Sequence, residues 1–382
     1  MKVACLNNIS SVGLNEFTKK YDITEEIEKS NLILVRSFNM HSMEIPKHLI
    51  AVARAGAGVN NIPIEEYAKQ GIVVFNTPGA NANAVKELVL TGMLLASRDV
   101  IGGVNWVKEN ASDESIAKTV EKAKSAFAGN EIMGKTIGLI GLGQVGSKVA
   151  NACVSLGLKV IGFDPYLSDE LRNSLDENVA ITQDLDTIYQ NSDFISLHVP
   201  LLDTTKGMMN QAVFAKTKKG LVLLNFSRDA LVDDLDLEVA IQEGIVRKYV
   251  TDFPNPKVAS MNGVIAIPHL GASTEESEDN CAYMASHELM AYAELGIIKN
   301  SVNYPAIDPG KKDTLTRIVI LHHAEELMNA FMNLFFNKPV MNIISKSRGE
   351  VAVTIFDIDE EIPTDCVQKL KDIKGVFKVR KI

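Results

Sequence analysis

The chain has 382 residues, 46% hydrophobic and 23% charged, a balance that fits soluble folded domains at a length too great for one ordinary core. Its formal net charge of −9 argues against nucleic acid as the main partner, so an anionic ligand needs a local cluster of cations. The cysteines, Cys5, Cys153, Cys281 and Cys366, have no metal-type spacing, no run approaches the length of a membrane span, and the start lacks a signal-type segment. The expectation is a cytoplasmic protein of two or three domains with reduced thiols, no bound metal, and no nucleic-acid or membrane partner.

From Met1 to about residue 97, apolar strands (Lys2–Leu6, Asn31–Val35, His48–Arg54, Ile72–Phe75) alternate with helical segments (Thr24–Lys29, Ile64–Lys69). That alternation predicts a parallel sheet with helices on both faces. Ligands bind such sheets at their strand ends, and three ends here carry polar or glycine-rich loops: Arg36-Ser37, Arg54-Ala55-Gly56-Ala57-Gly58 and Asn76-Thr77-Pro78-Gly79. Arg36 and Arg54 supply more cation than one carboxylate needs. With Ser37 and the backbone amides of Ala55 and Gly56 they suit a second, more highly charged group such as phosphate. The plainer use of Arg36 is an ion pair with a surface acid.

A helical pattern follows from Asn83 to about Asn110, able to cross between domains and to pair with a twin in a homodimer or homotetramer. Ala111–Glu131 reads as a charged connection. The apolar run Thr136–Ile140 then leads into Gly141-Leu-Gly143-Gln144-Val145-Gly146 and an apolar-periodic helix, which is the arrangement that cradles a pyrophosphate on a helix N-terminus. A second strand, Lys159–Phe163, ends in Asp164, roughly twenty residues on, where an acid binds a ribose hydroxyl. A carboxylate there repels a 2′-phosphate, and Pro165 and Tyr166 follow with no Arg, so the cofactor is NAD.

Further strands are expected near Phe194, Val222 and Val264, then a helix over Asn280–Leu295. Arg228 follows the buried strand Leu221–Phe226 and His269 follows Val264–Pro268, so both emerge at a sheet's ligand edge. A guanidinium fixes a carboxylate bidentately, and an imidazole moves a proton near neutrality. The tail from Arg317 reads as strand–helix–strand–strand–helix–strand, a βαββαβ module, with Leu321, Leu327, Phe331, Ile355 and Phe356 as an apolar surface for joining subunits.

The chain resembles the D-2-hydroxyacid dehydrogenase family along nearly its whole length. The resemblance rests on Arg54–Ile62, Asn76–Ala82, Gly134–Gly143, Leu197-His-Val-Pro-Leu201, Asn225-Phe-Ser-Arg228 and Ile267-Pro-His-Leu-Gly271. It is most similar to members that act on phosphoglycerate and carry a short C-terminal ACT-type domain. The resemblance implies an α/β fold of two doubly wound parallel-sheet lobes, flavodoxin-like and Rossmann-like, with a small ACT-like domain. Its lobes would be 1–97 with 289–308 for substrate, 98–288 for NAD, and 311–382 for the tail.

It further implies that Arg228 and His269 are catalytic and that His198, Val199, Pro200, Phe226 and Ser227 wall the cofactor, with Asp252 on the nicotinamide carboxamide. The activity implied is NAD-dependent oxidation of 3-phospho-D-glycerate to 3-phosphohydroxypyruvate, the first step of serine biosynthesis. A hydroxypyruvate or other 2-ketoacid reductase, or an NAD-sensing protein like the family's corepressors, are the alternatives. The family places a Glu a few residues after that Asp to orient the histidine; here Phe253-Pro254-Asn255-Pro256-Lys257 has no carboxylate. Either Asp252 also serves His269 or the histidine works without an acid partner. The tail's first helix lacks the glycine-bearing loop of serine-inhibited relatives, so inhibition by serine is not expected.

Overall fold

The computed structural model describes Met1–Ile382, which form two compact units: Met1–Asn81 with Glu275–Ile382, and Ala82–Thr274. In the first unit, β1 (Lys2–Cys5), β2 (Asp22–Thr24), β3 (Leu32–Val35), β4 (Ala51–Arg54) and β5 (Val73–Asn76) make a parallel sheet in the order β2-β1-β3-β4-β5. The inner strands read as unbroken apolar runs because both sheet faces are covered. Where the sequence suggests a helix over Thr24–Lys29, the chain instead forms the edge strand β2 and one 3₁₀ turn at Ile27–Lys29. An edge strand of three half-exposed residues carries no alternation to betray it.

The second unit holds β6 (Thr136–Ile140), β7 (Lys159–Phe163), β8 (Val179–Thr182), β9 (Phe194–Leu197), β10 (Leu221–Asn225), β11 (Val246–Thr251) and β12 (Val264–Ala266). They form one parallel sheet in the order β12-β11-β10-β9-β6-β7-β8. Strand order reverses at β6 and β9, so the glycine loop after β6 opens at the switch point, where doubly wound sheets bind ligands. The long helix expected from Asn83 is two helices, Ala82–Ser97 and Val100–Glu109. Asp99 separates them: its carboxylate accepts from the Gly102 N–H at 3.0 Å and caps the second helix. No helix is long and apolar enough to cross a membrane.

The tail contains β13 (Thr316–His323), β14 (Val340–Arg348), β15 (Val351–Ile358) and β16 (Val376–Lys381), antiparallel in the order β14-β15-β13-β16. Helices Met328–Phe335 and Thr364–Lys371 complete the expected βαββαβ unit. Successive side chains on β13 and β15 point to opposite faces. Val319, Leu321, Val353 and Ile355 enter the core of the first sheet's unit, with Leu289 and Tyr292 of helix Glu275–Leu295. Ile318, Ile320, Phe356 and Ile358 enter a second core with Phe331 and Phe335.

The apolar residues expected to join subunits are therefore turned into the chain's own cores. Leu321 and Ile355 are buried on the chain's own first lobe, Phe331 and Phe356 under the tail's own helices, and Leu327 packs beside them. Arg317 locks this docking from a fully buried position. It bonds the Asp357 carboxylate at 2.5 and 2.9 Å, and the carbonyls of Leu295 and Gly310 at 2.9 Å each. Arg380 adds bonds to the carbonyls of Tyr292 and Ala293 at the same helix end.

Candidate active site

The glycine loop is built for close approach. Gly141 has φ +97°, and a side chain there would strike the His198 carbonyl; one on Gly146 would strike the Gly141 carbonyl. Gly143 is different. Its φ of −66° suits any residue and an added Cβ would meet no protein atom within 4 Å, so nothing in the folded chain itself calls for glycine at this position. The open space lies before Gln144 and Val145, the first residues of helix Gln144–Ser155, whose leading N–H groups have no intrahelical partners. Asp164 stands beside the loop, accepting from Leu142 N–H at 2.8 Å and Tyr166 N–H at 2.9 Å.

His198 closes another side. Its Nε2 lies 3.0 Å from the Ser196 hydroxyl, and burial pulls its pKa down to about 4. His198 is partly buried, and it is neutral near pH 7. Val199 and Pro200 continue this wall, the Pro200 carbonyl accepting from Thr205 Oγ1 at 2.7 Å. The Phe226 side chain is buried with its ring against Gly92, and the Ser227 hydroxyl donates to the Leu197 carbonyl at 2.7 Å.

Arg228 emerges past β10 on a turn shaped by Asn225, a buried side chain that bonds the Arg228 carbonyl at 2.8 Å and the Tyr249 hydroxyl at 3.1 Å. The guanidinium bonds the Ser227 carbonyl at 2.6 Å and forms no ion pair with Asp229 or Asp233. Its Cζ lies 5.6 Å from the Phe253 ring centroid, and that ring stacks at 4.5 Å on His269. Asn255, in the segment after Asp252 that has no carboxylate, caps the helix Pro256–Ser260 and bonds Asp234 at 2.8 Å.

Asp252 is 1% exposed. One carboxylate oxygen accepts from Gly271 N–H at 3.1 Å and the other, Oδ1, has no partner. Burial raises its pKa, while His269, the Gly271 N–H and Arg228 pull the other way. A buried acceptor without a donor is costly unless a ligand supplies one, and an amide NH₂ would do so. Together with the open ground at Gly143 and the acid beside the loop, it fits a nicotinamide dinucleotide.

In the first unit, Arg36 and Arg54 converge. Arg54 Nε donates to the Arg36 carbonyl at 3.0 Å, the Arg54 guanidinium lies over Gly56, and both arginines act on the Cys281 thiol. The expectation for Ala55 and Gly56 needs correcting. Ala55 N–H donates to Val35 O and Gly56 N–H to Thr77 Oγ1, each at 2.8 Å, so neither is available to an anion; the Ala57 and Gly58 amides make no bond within the chain. Ser37 is half corrected too. The amides of Arg36, Ser37 and Phe38 all converge on Asn7 Oδ1 at 2.9–3.0 Å, and the Ser37 hydroxyl accepts from Asn7 Nδ2 at 3.5 Å, which leaves only its own proton to donate. Arg36 Nη1 meets Glu278 Oε1 at 2.7 Å.

Sequence reading did not single out Asn7, Asn225, Phe253 or Glu278. Asn7 follows β1 and Phe253 follows β11, so the strand-end rule pointed at their neighbourhoods; β11 itself went unread because Arg247 and Lys248 interrupt its apolar run. Glu278 carries no local signal.

The family described as D-isomer specific 2-hydroxyacid dehydrogenase matches with its NAD binding domain over residues 90–271 and its catalytic domain over residues 3–136. The chain is 30% identical over 340 residues to the D-3-phosphoglycerate dehydrogenase of Bacillus subtilis, covering 87% of this chain but only 62% of that protein's length. It is 33% identical over 299 residues to the hydroxypyruvate reductase of Thermotoga maritima, covering 74% of this chain and 90% of that one. The crystal structure of NAD+-bound 3-phosphoglycerate dehydrogenase from Entamoeba histolytica is similar with a TM-score of 0.62 at 25% identity, over 79% of this chain and 98% of the other. The chain belongs to the D-isomer specific 2-hydroxyacid dehydrogenase family, and its Ala82–Thr274 unit carries that family's NAD-binding fold.

Proposed function

We propose that the chain is a cytoplasmic NAD-dependent dehydrogenase that oxidises 3-phospho-D-glycerate to 3-phosphohydroxypyruvate, the entry to serine biosynthesis. The observation that carries this reading is Arg228: a cation at a sheet's ligand edge that forms no ion pair and shares one aromatic ring with a histidine. In this reading Arg228 binds the substrate carboxylate and polarises the C2 oxygen, and the charge stays on it throughout. His269 takes the hydroxyl proton as C2 is oxidised. The bound dinucleotide supplies the acceptor for the hydride from C2. It is held by the backbone at Gly141, Gly143, Gln144, Val145 and Gly146, by Asp164 on the ribose, by the His198–Pro200 wall and the Phe226–Ser227 backbone, and by Asp252 Oδ1 on the carboxamide.

The other unit is assigned the phosphate: Arg36, Arg54, the Ser37 hydroxyl and the amides of Ala57 and Gly58 are its donors. Relatives named for phosphoglycerate support that choice. A second reading, hydroxypyruvate reduction, is favoured by the pairing of Arg36 with Glu278, which lowers the net positive charge there, and by the relative from T. maritima. The βαββαβ tail is ACT-like in topology, and its role in this reading is structural. For assembly we assign a homodimer through helix Val100–Glu109, whose Val100, Ile101, Val104 and Val107 are 45–50% exposed along one stripe.

The test is turnover of 3-phosphoglycerate against glycerate with NAD, and of hydroxypyruvate with NADH. Phosphoglycerate is expected to lead by at least about tenfold in kcat/KM, the discrimination that charge-assisted phosphate contacts provide. Equal rates would remove phosphate from the reading, and no turnover despite NADH binding would favour the NAD-sensing alternative.

A further inference from the structure

The pair Arg36–Glu278 joins a cation to an acid at the place where an anionic ligand would need that cation. Glu278 lies in the first turn of helix Glu275–Leu295, where the helix dipole favours a carboxylate. That helix is fixed at both ends: Asp279 bonds Ser10, and Arg380 and Arg317 bond its last carbonyls. The Glu278 backbone is thus held, and the carboxylate leaves Arg36 only by turning its side chain. Both side chains are partly exposed, at 35% and 43%, which makes the pair weak and exchangeable.

Arg36 is not an isolated surface cation. Its carbonyl accepts from Arg54, its amide is pinned on Asn7, and it shares Cys281 as a neighbour with Arg54. An anion arriving at these two arginines competes with Glu278 for one of them. A monoanion replaces one carboxylate with another and gains little. A phosphate dianion brings more charge and bidentate geometry, and so displaces Glu278 at a net gain.

We infer that Glu278 is a specificity-determining residue: a built-in competitor on Arg36 that lets doubly charged groups through and turns singly charged ones away. The inference rests on the assignment of Arg36 to the substrate's anionic end. It predicts that Glu278→Gln, nearly isosteric and at a partly exposed site, lowers KM for 3-phosphoglycerate by about two- to fivefold, the range set by an exposed ion pair. The change falls on KM rather than kcat, and it shrinks at high salt.

Two measurements separate this inference from the proposed function. The first is KM and kcat of wild type and E278Q on 3-phosphoglycerate and glycerate. The second is calorimetric binding of inorganic phosphate to both proteins without substrate. Tighter phosphate binding by E278Q supports the competitor role even if phosphoglycerate proves not to be turned over, in which case only the substrate assignment falls. Phosphate binding unchanged or weakened in E278Q overturns the competitor role, whatever the wild-type enzyme turns over.

Discussion

Phe253 stacks on His269 with ring centroids 4.5 Å apart and interplanar angle 45°, while its ring also carries the Arg228 guanidinium at 5.6 Å. An aromatic side chain thus orients the imidazole from the segment that has no carboxylate to do so. Stacking and cation–π contacts are each worth about 0.5–1.5 kcal/mol. Phe253→Ala is therefore expected to lower kcat by roughly tenfold, with NADH affinity little changed. Steady-state kinetics with cofactor titration checks this, and an unaltered kcat would show that His269 is held by something else.

Gly143 and Gly146 separate a ligand requirement from a folding requirement. A methyl group on Gly146 would collide with the Gly141 carbonyl, whereas one on Gly143 meets nothing. Gly143→Ala should keep wild-type stability and still weaken NADH binding by about tenfold or more, because the methyl occupies the pyrophosphate's approach. Gly146→Ala should lose both stability and binding. Melting curves beside NADH fluorescence titrations distinguish the two, and a Gly143→Ala protein with unimpaired NADH binding would move the pyrophosphate elsewhere.

The parts of the site legible in the sequence are those written locally. Gly141 and Asp164 directly follow an apolar strand, Arg228 and His269 come shortly after the ends of β10 and β12, and a parallel sheet places all such ends on one edge. What was hidden depends on register or distant partners. The Ala55 and Gly56 amides looked available until the pairing of Arg54 with Asn76 brought Thr77 opposite Gly56. Leu321, Leu327, Phe331, Ile355 and Phe356 of the tail read as a surface for another subunit, but the apolar runs of β13 and β15 lack alternation, which is the mark of strands covered on both faces. The segment Phe253–Lys257 was legible only as lacking a carboxylate; that Asn255 caps a helix there follows from Pro256 at the helix's first position.

The stripe Val100, Ile101, Val104 and Val107 leads to an oligomer prediction. A charge in its centre, Val104→Asp, should dissociate the homodimer and leave each chain folded, since the site is solvent-exposed in the monomer. Sedimentation velocity is expected to show a halved mass with unchanged circular dichroism. A wild-type monomer, or a Val104→Asp dimer, would rule out this face.

Arg317 and Asp357 form a buried ion pair between the tail's strands, and the arginine also ties the tail to the end of helix Glu275–Leu295. Arg317→Ala leaves Asp357 buried without its cation and should cost about 3–5 kcal/mol. Arg317→Met combined with Asp357→Leu should recover much of that loss, because no uncompensated charge remains. Urea denaturation of the three proteins decides it. Equal loss in the single and double variants would mean that the carbonyl bonds of Arg317, rather than its charge pairing, hold the tail in place.

Glu288 makes stability depend on pH. It is 7% exposed, Asn300 bonds one of its oxygens at 2.7 Å, the other has no partner, and burial raises its pKa from 4.5 to about 8. Below pH 4.5 the folded and unfolded chains both carry the proton, and its stabilising effect is complete. As pH rises from there the unfolded chain releases the proton while the folded chain keeps it, so stability falls until about pH 8, where both are ionised. The slope has an upper limit of about 1.4 kcal/mol per pH unit. Glu288→Gln removes the titration, so the variant should match wild type near pH 5 and exceed it near pH 8.5 in urea midpoint. Parallel pH profiles of the urea midpoint for the two proteins would mean that Glu288 stays ionised in the fold.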